Sequence, residues 1–173
     1  RMLCNIMTCI RIINVINLII HRLGGCDVGC SFCDVKESWP SEAHPRVDVA
    51  TLVQEAVASG LPRVVVTGGE PTMHDLGPLT EALKAEGLAT HLETSGTGMV
   101  SGQWDWVTLS PKKFKVCQEA WYSQANELKV VVVKVRRLSY IQDEVLLAHL
   151  PPVPLRRVIV FPWVRIEASS RVD

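Results

Sequence analysis

Along residues 49–57 the apolar side chains recur at helical spacing, with Val49, Leu52, Val53, Ala56 and Val57 at i, i+3, i+4, i+7 and i+8, one face of a helix that Gly60 stops. Residues 63–67 then read as a strand. Its Val64-Val65-Val66 core is apolar without alternation, as in a parallel strand covered on both faces, and Gly68-Gly69 ends it. The spacing predicts a second helix over about residues 74–86, with Leu76, Leu79 and Leu83 inward and Gly87 as its stop. Strands follow over 90–94, 106–110 and 127–133. A third helical face at Ile141, Val145 and Ala148 ends at Pro151-Pro152, and residues 157–161 form a last strand. Alternating strands and helices predict one α/β domain over residues 1–173, with a mostly parallel sheet, either open or closed into a partial (βα) barrel. Both architectures place chemistry at the C-terminal ends of the strands.

Composition changes little in that picture. The 173 residues carry 18 basic and 18 acidic side chains and 47% hydrophobic residues, which is ordinary globular make-up and gives no sign of a nucleic-acid or membrane partner. The apolar run over residues 10–20 is short and interrupted by Arg11, Asn14 and Asn17, below bilayer-spanning length. Six cysteines are too few for a disulfide scaffold in a chain able to bury roughly 70% of its unfolded surface. Three of them lie within eight positions, which points to metal ligation in a reducing compartment, the cytoplasm.

That trio, Cys26, Cys30 and Cys33, has the form C-x-x-x-C-x-x-C and follows a strand-like stretch. Iron–sulfur clusters are usually held by four cysteines, so three leave one iron open to an outside ligand. The competing structure is a zinc knot with His21 or His44 as fourth ligand, although neither stands at the usual spacing from a second cysteine pair. Cys4, Cys9 and Cys117 read as small buried hydrophobes. His44, His74, His91 and His149 read as structural, and Trp104 and Trp106 as packing groups.

Gly68-Gly69-Glu70-Pro71 lies at the end of the strand after the first helix. With the cysteine motif it makes the chain resemble the radical S-adenosylmethionine (SAM) superfamily. Further words resemble the 7-carboxy-7-deazaguanine synthase family over about residues 21–150: His21-Arg22-Leu23-Gly24-Gly25, Cys33 to Trp39, Glu93-Thr94-Ser95-Gly96, Leu109-Ser110-Pro111-Lys112 and Asn126-Glu127-Leu128-Lys129. The resemblance implies a 4Fe–4S cluster on the three cysteines and SAM used as a true catalyst. The implied reaction is a carbon–nitrogen lyase step of queuosine biosynthesis, a tRNA modification pathway. It turns 6-carboxy-5,6,7,8-tetrahydropterin into 7-carboxy-7-deazaguanine with loss of ammonia. The resemblance also implies SAM contacts from Phe32, Asp34, Gly68, Gly69, Glu70, Ser110 and Lys112, with Glu70 on the amino group, and substrate contacts from Arg22 and Thr67. Lys113 and Lys115 are read as solvated. A flavodoxin or ferredoxin reductant and a homodimer are further implications.

Magnesium is expected as well, but Val35 stands where the family places a hydroxyl for it, leaving substrate, solvent and Asp34 as oxygen sources. Residues 1–20 lack the family's Gln-x-Glu-Gly-type pterin loop, and residues 157–173 diverge from its C-terminal stretch. We therefore expect truncated or frameshifted ends, a hypothesis that a clean natural start and stop in the DNA would refute. The alternatives are a glycyl-radical-activating enzyme and an inactive cluster-binding fragment.

Overall fold

The computed structural model describes residues 3–7, 17–113, 115–132 and 157–162. The expected third helical face at Ile141, Val145 and Ala148, together with Val133 and His149, lies outside them. Among the described residues eight strands form one sheet: β1 (Leu3–Met7), β2 (Ile19–Leu23), β3 (Arg46–Asp48), β4 (Arg63–Gly68), β5 (Ala89–Thr94), β6 (Trp106–Leu109), β7 (Glu127–Val132) and β8 (Arg157–Pro162). The spatial order is β3-β1-β2-β4-β5-β6-β7-β8. From β2 to β8 every pairing is parallel, while β1 runs antiparallel to both β2 and β3. The expected α/β architecture with a mostly parallel sheet is therefore present. The antiparallel strands β1 and β3 are additions that the sequence pattern did not reveal, being short and without alternation.

The first predicted helix is α1 (Val49–Ala58), whose Leu52, Val53 and Ala56 are buried. Val57, expected on the same face, is 46% exposed because it lies at the edge of the stripe in the last turn. The second, α2 (Gly77–Ala85), starts three residues later than its spacing predicts. Residues Pro71–Met73 form a separate 3-10 turn, and the Asp75 side chain then accepts from Gly77 N at 3.0 Å. Pro78 lacks an N–H and has a fixed φ, so it suits the first turn of the helix and not its interior. Leu76, Leu79 and Leu83 are all 0% exposed, as predicted. A short helix that the pattern did not announce, α3 (Glu119–Gln124), buries Trp121.

All three helices lie on one face of the sheet. Leu52, Leu79, Leu83 and Trp121 share a single apolar cluster with Ile19, Val64, Val66, Leu92, Val107 and Leu109. Successive strand residues point to opposite faces, and parallel partners point to the same one. The other face therefore carries Arg22 beside Thr67, His91 beside Trp106 and Glu93 beside Thr108. Along β2 and β5 buried and half-exposed residues alternate, so those strands are covered on one side only. Among the described residues, β4, with Val64, Val65 and Val66 all buried, meets the expectation of a strand covered on both sides, and so does β6, with Val107, Thr108 and Leu109 all buried.

Candidate active site

The cysteine loop starts where β2 ends, and main-chain hydrogen bonds close it. Gly25 N donates to Ser38 O at 2.7 Å and Cys26 N to Trp39 O at 3.1 Å, which returns the chain after residues 36–38 to the foot of the loop. Ser38 is buried, and its hydroxyl donates to Val35 O at 2.7 Å. The Lys36 ammonium lies 5.8 Å from the centre of the Trp39 ring. The stretch after Cys33 is thus the brace of the loop.

The Gly68-Gly69 turn at the end of β4 lies directly against the start of the cysteine loop. Gly69 N donates to Leu23 O at 2.9 Å and Glu70 N to Gly25 O at 2.7 Å. A Cβ on Gly68, whose φ is +150°, would strike the Leu23 main chain; one on Gly69 would strike the Gly25 carbonyl and come within 2.8 Å of Cys26 Cβ. Only glycine permits this approach, so the turn and the cysteine loop are fitted to each other. Across the next strand, Ser110 N donates to Thr94 O at 2.7 Å. Lys112 Nζ donates back to Ser110 O at 2.6 Å and to Ser110 Oγ.

Burial, together with the neighbouring Lys129 cation, pulls the Lys112 ammonium below its usual pKa, while the anionic partners Cys30, Glu70 and Cys26 oppose that shift. Burial pushes both the Cys26 and Cys30 thiols up. Main-chain hydrogen bonds from Val28 and Gly29 counter the shift at Cys26, and the Lys112 cation counters it at Cys30. The three cysteines act on one another electrostatically. The ends of β2, β4 and β6 therefore bring the cysteine loop, the Gly-Gly-Glu-Pro turn and the Ser110-Lys112 turn together.

The family model described as Radical SAM superfamily matches residues 20–115. The chain belongs to the radical SAM superfamily. It is 57% identical over 116 residues to the 7-carboxy-7-deazaguanine synthase of Synechocystis sp., covering 67% of this chain and 56% of that enzyme. It is 34% identical over 180 residues to the enzyme of the same name from Escherichia coli, covering 89% of this chain and 79% of that one. The crystal structure of QueE from Escherichia coli matches with a TM-score of 0.72 at 33% identity, over 84% of this chain and 75% of that one. The chain thus spans little more than half the length of the Synechocystis relative.

Membership of the radical SAM superfamily implies a 4Fe–4S cluster and SAM, and the cysteine loop fits the cluster. Thiolates that receive main-chain N–H groups and face a lysine form a donor set able to hold an anionic cluster. Among the described residues, no three His, Cys, Asp or Glu side chains converge as a single ion would require; a cubane instead takes each thiolate on a different iron. The histidines considered for zinc are placed elsewhere. His44 Nε2 is bonded to Glu37 O at 2.9 Å. His21 is 3% exposed on the helix-covered side of β2, and burial lowers its pKa to about 4.

Of the other expected site residues, Arg22 and Thr67 are register partners on β2 and β4. Phe32 is half-buried and Asp34 exposed, both within the cysteine loop. Lys113 is exposed as expected, but Lys115 is paired with Asp27 of the cysteine loop. Trp106 does not pack into the core; it stacks on His91, with ring centres 6.3 Å apart, on the open face. Glu70 is 1% exposed and its carboxylate points into the protein. The sequence reading missed the partners of that carboxylate, Thr72, Thr94 and Ser95, because nothing in the spacing of hydroxyl residues signals a shared acceptor. No helix of the described residues is long and apolar enough to cross a membrane.

Proposed function

We propose that this chain is a radical SAM lyase that converts 6-carboxy-5,6,7,8-tetrahydropterin into 7-carboxy-7-deazaguanine with loss of ammonia. The single observation that carries the reading is the register of β2 and β4. It pairs residue Arg22 with residue Thr67 on the open face, at the strand ends that carry the cysteine loop and the glycine turn. A guanidinium fork suits a carboxylate, and the hydroxyl beside it suits a polar ring edge. When bound, the cluster and SAM supply the hydrogen-abstracting radical.

The protein's part is to hold and orient. Cys26, Cys30 and Cys33 ligate the cluster. Phe32, Asp34, Gly68, Gly69, Ser110, Lys112 and the main chain of Glu70 cradle SAM, the glycines by close approach and Lys112 by its charge. Arg22 and Thr67 fix the pterin so that its reacting carbon faces the cofactor. Asp34, exposed at the loop, contributes to a magnesium site with the substrate carboxylate and water, since Val35 has no ligating atom. The enzyme works in the cytoplasm as a homodimer with a flavodoxin or ferredoxin as reductant.

Anaerobic reconstitution with iron, sulfide, reductant and SAM tests the assignment by the 5′-deoxyadenosine and deazaguanine formed with and without the pterin. Pterin-dependent product that is lost in Arg22→Ala supports it. Release of 5′-deoxyadenosine indifferent to the pterin indicates a cluster-binding chain with another substrate, and no cluster uptake refutes the reading outright.

A further inference from the structure

The Glu70 carboxylate is ringed by donors. Oε1 accepts from Thr72 N at 3.1 Å, from Thr72 Oγ1 at 2.6 Å and from Thr94 Oγ1. Oε2 accepts from Ser95 N at 2.8 Å and from Ser95 Oγ. A carboxylate offers about four lone-pair sites, so five donors leave none for an incoming ammonium. A second ring supports the first: Gly96 N donates to Thr94 Oγ1 at 2.9 Å and Gly98 N to Thr72 Oγ1 at 3.0 Å. The main chain of the same residue faces the other way and donates to Gly25 O beside the first cysteine.

We propose that Glu70 is a positioning residue: its buried carboxylate locks the ends of β4 and β5 into one rim and sets a fixed negative charge behind the cysteine loop, without contacting the cofactor through its side chain. Burying a charge is costly, and neutral groups would tie two loops together more cheaply. None of the ion pairs among the described residues includes Glu70. The charge nevertheless lies close to the site, because Glu70 N donates to the carbonyl of Gly25, the residue before Cys26, at 2.7 Å. A negative charge beside an iron–sulfur cluster disfavours the added electron and lowers the reduction potential. The redox part of this proposal rests on the function proposed above; the structural part does not.

Two variants separate the roles. Glu70→Gln removes the charge and turns an amide toward donors, while Thr94→Val removes one donor and keeps the charge. In the apoprotein, hydrogen exchange at the Ser95 and Gly98 amides, neither of which donates to Thr94, is expected to accelerate more than 10-fold in Glu70→Gln and less in Thr94→Val, with α1 unchanged. After reconstitution, the midpoint potential of the cluster, followed by electron paramagnetic resonance, is expected to rise in Glu70→Gln and to stay at the wild-type value in Thr94→Val. Wild-type protection of those amides in both variants overturns the proposal. So does an equal potential in all three proteins, and so does loss of SAM binding in a Glu70→Gln protein whose rim stays protected, since that marks a direct contact. If Glu70→Gln does not fold, full protection in Thr94→Val overturns it. A wild-type chain that takes up no cluster refutes the function, and exchange alone then decides this point.

Discussion

Replacing Gly69 by alanine is the sharpest probe of how the two halves of the site fit together. The new methyl group would lie 2.8 Å from Cys26 Cβ and closer still to the Gly25 carbonyl, whereas ordinary contact begins at 3.4 Å. The cysteine loop must therefore retreat by about 0.6 Å at Cys26 and further at Gly25, in a region too closely packed to yield freely. Such overpacking costs about 1–3 kcal/mol. The retreat also stretches the bonds from Gly69 N to Leu23 O and from Glu70 N to Gly25 O, 2.9 and 2.7 Å in the native protein, each worth about 1 kcal/mol. A total near 3 kcal/mol lowers the urea midpoint of the apoprotein by about 1–2 M, and reconstituted protein should hold well below the wild-type iron and sulfide. Gly29→Ala is the control. Its φ is +70° but no atom lies within 4 Å of the added Cβ, so it costs only the left-handed strain of about 1–2 kcal/mol and keeps the cluster. A Gly69→Ala protein that melts with the wild type and carries full iron would show that the turn does not bear on the cysteine loop.

Other substitutions read other parts of the structure. Trp121 is 0% exposed and donates through Nε1 to Gly98 O at 3.0 Å; Trp121→Ala should cost about 3–5 kcal/mol in denaturant melts, and a loss under 1 kcal/mol would place it outside the core. His21 stays neutral in the fold down to about pH 4 but titrates near 6.5 when unfolded, so the unfolded chain binds the extra proton. Stability then falls by about 1.4 kcal/mol per pH unit as pH drops from 6.5 toward 4; His21→Leu should remove that slope, and a parallel slope in the variant refutes the assignment. The Asp105 pKa is held below its usual 3.8, first by the hydrogen bond from Lys84 and then by Thr90 N. Its stabilisation is present above that value and lost as pH falls through the folded value, so Asp105→Asn should lower Tm at pH 7, with the gap to the wild type narrowing as pH falls below 3.8. Lys115→Ala breaks a half-exposed ion pair with Asp27 and should shift stability by less than about 1 kcal/mol; a larger loss would make that pair a structural strap.

The helices and central strands were legible because period and burial coincide there. Leu76, Leu79 and Leu83 mark α2 whatever follows, and Val64 to Val66 mark β4. The start of α2 was not legible from periodicity, since Pro78 and the Asp75 turn, and not the apolar stripe, set the true boundary. β1 and β3 escaped for a different reason: their pairing is decided by a neighbouring strand and not by a pattern of their own. At the site, the cysteines and the glycine turn could be read because their chemistry depends on local spacing. The partnership of Glu70 with Thr94 and Ser95 spans 24 and 25 residues and exists only after the sheet has formed. The half-open face was misjudged in the same way, because Trp106 looks like packing until its neighbour in the sheet is known to be His91.

The alternation along β2 and β5 divides each strand's residues between two tasks. Ile19, Leu23, Leu92 and the helices above them sustain the fold, while Arg22, His91 and Glu93, with Thr67 at the end of β4, look out from the opposite side and add little to it. Changes on that side are thermodynamically cheap. A combinatorial library restricted to those four positions should yield folded, cluster-competent proteins with altered ligand preference, so the scaffold can be inherited unchanged while its choice of molecule drifts.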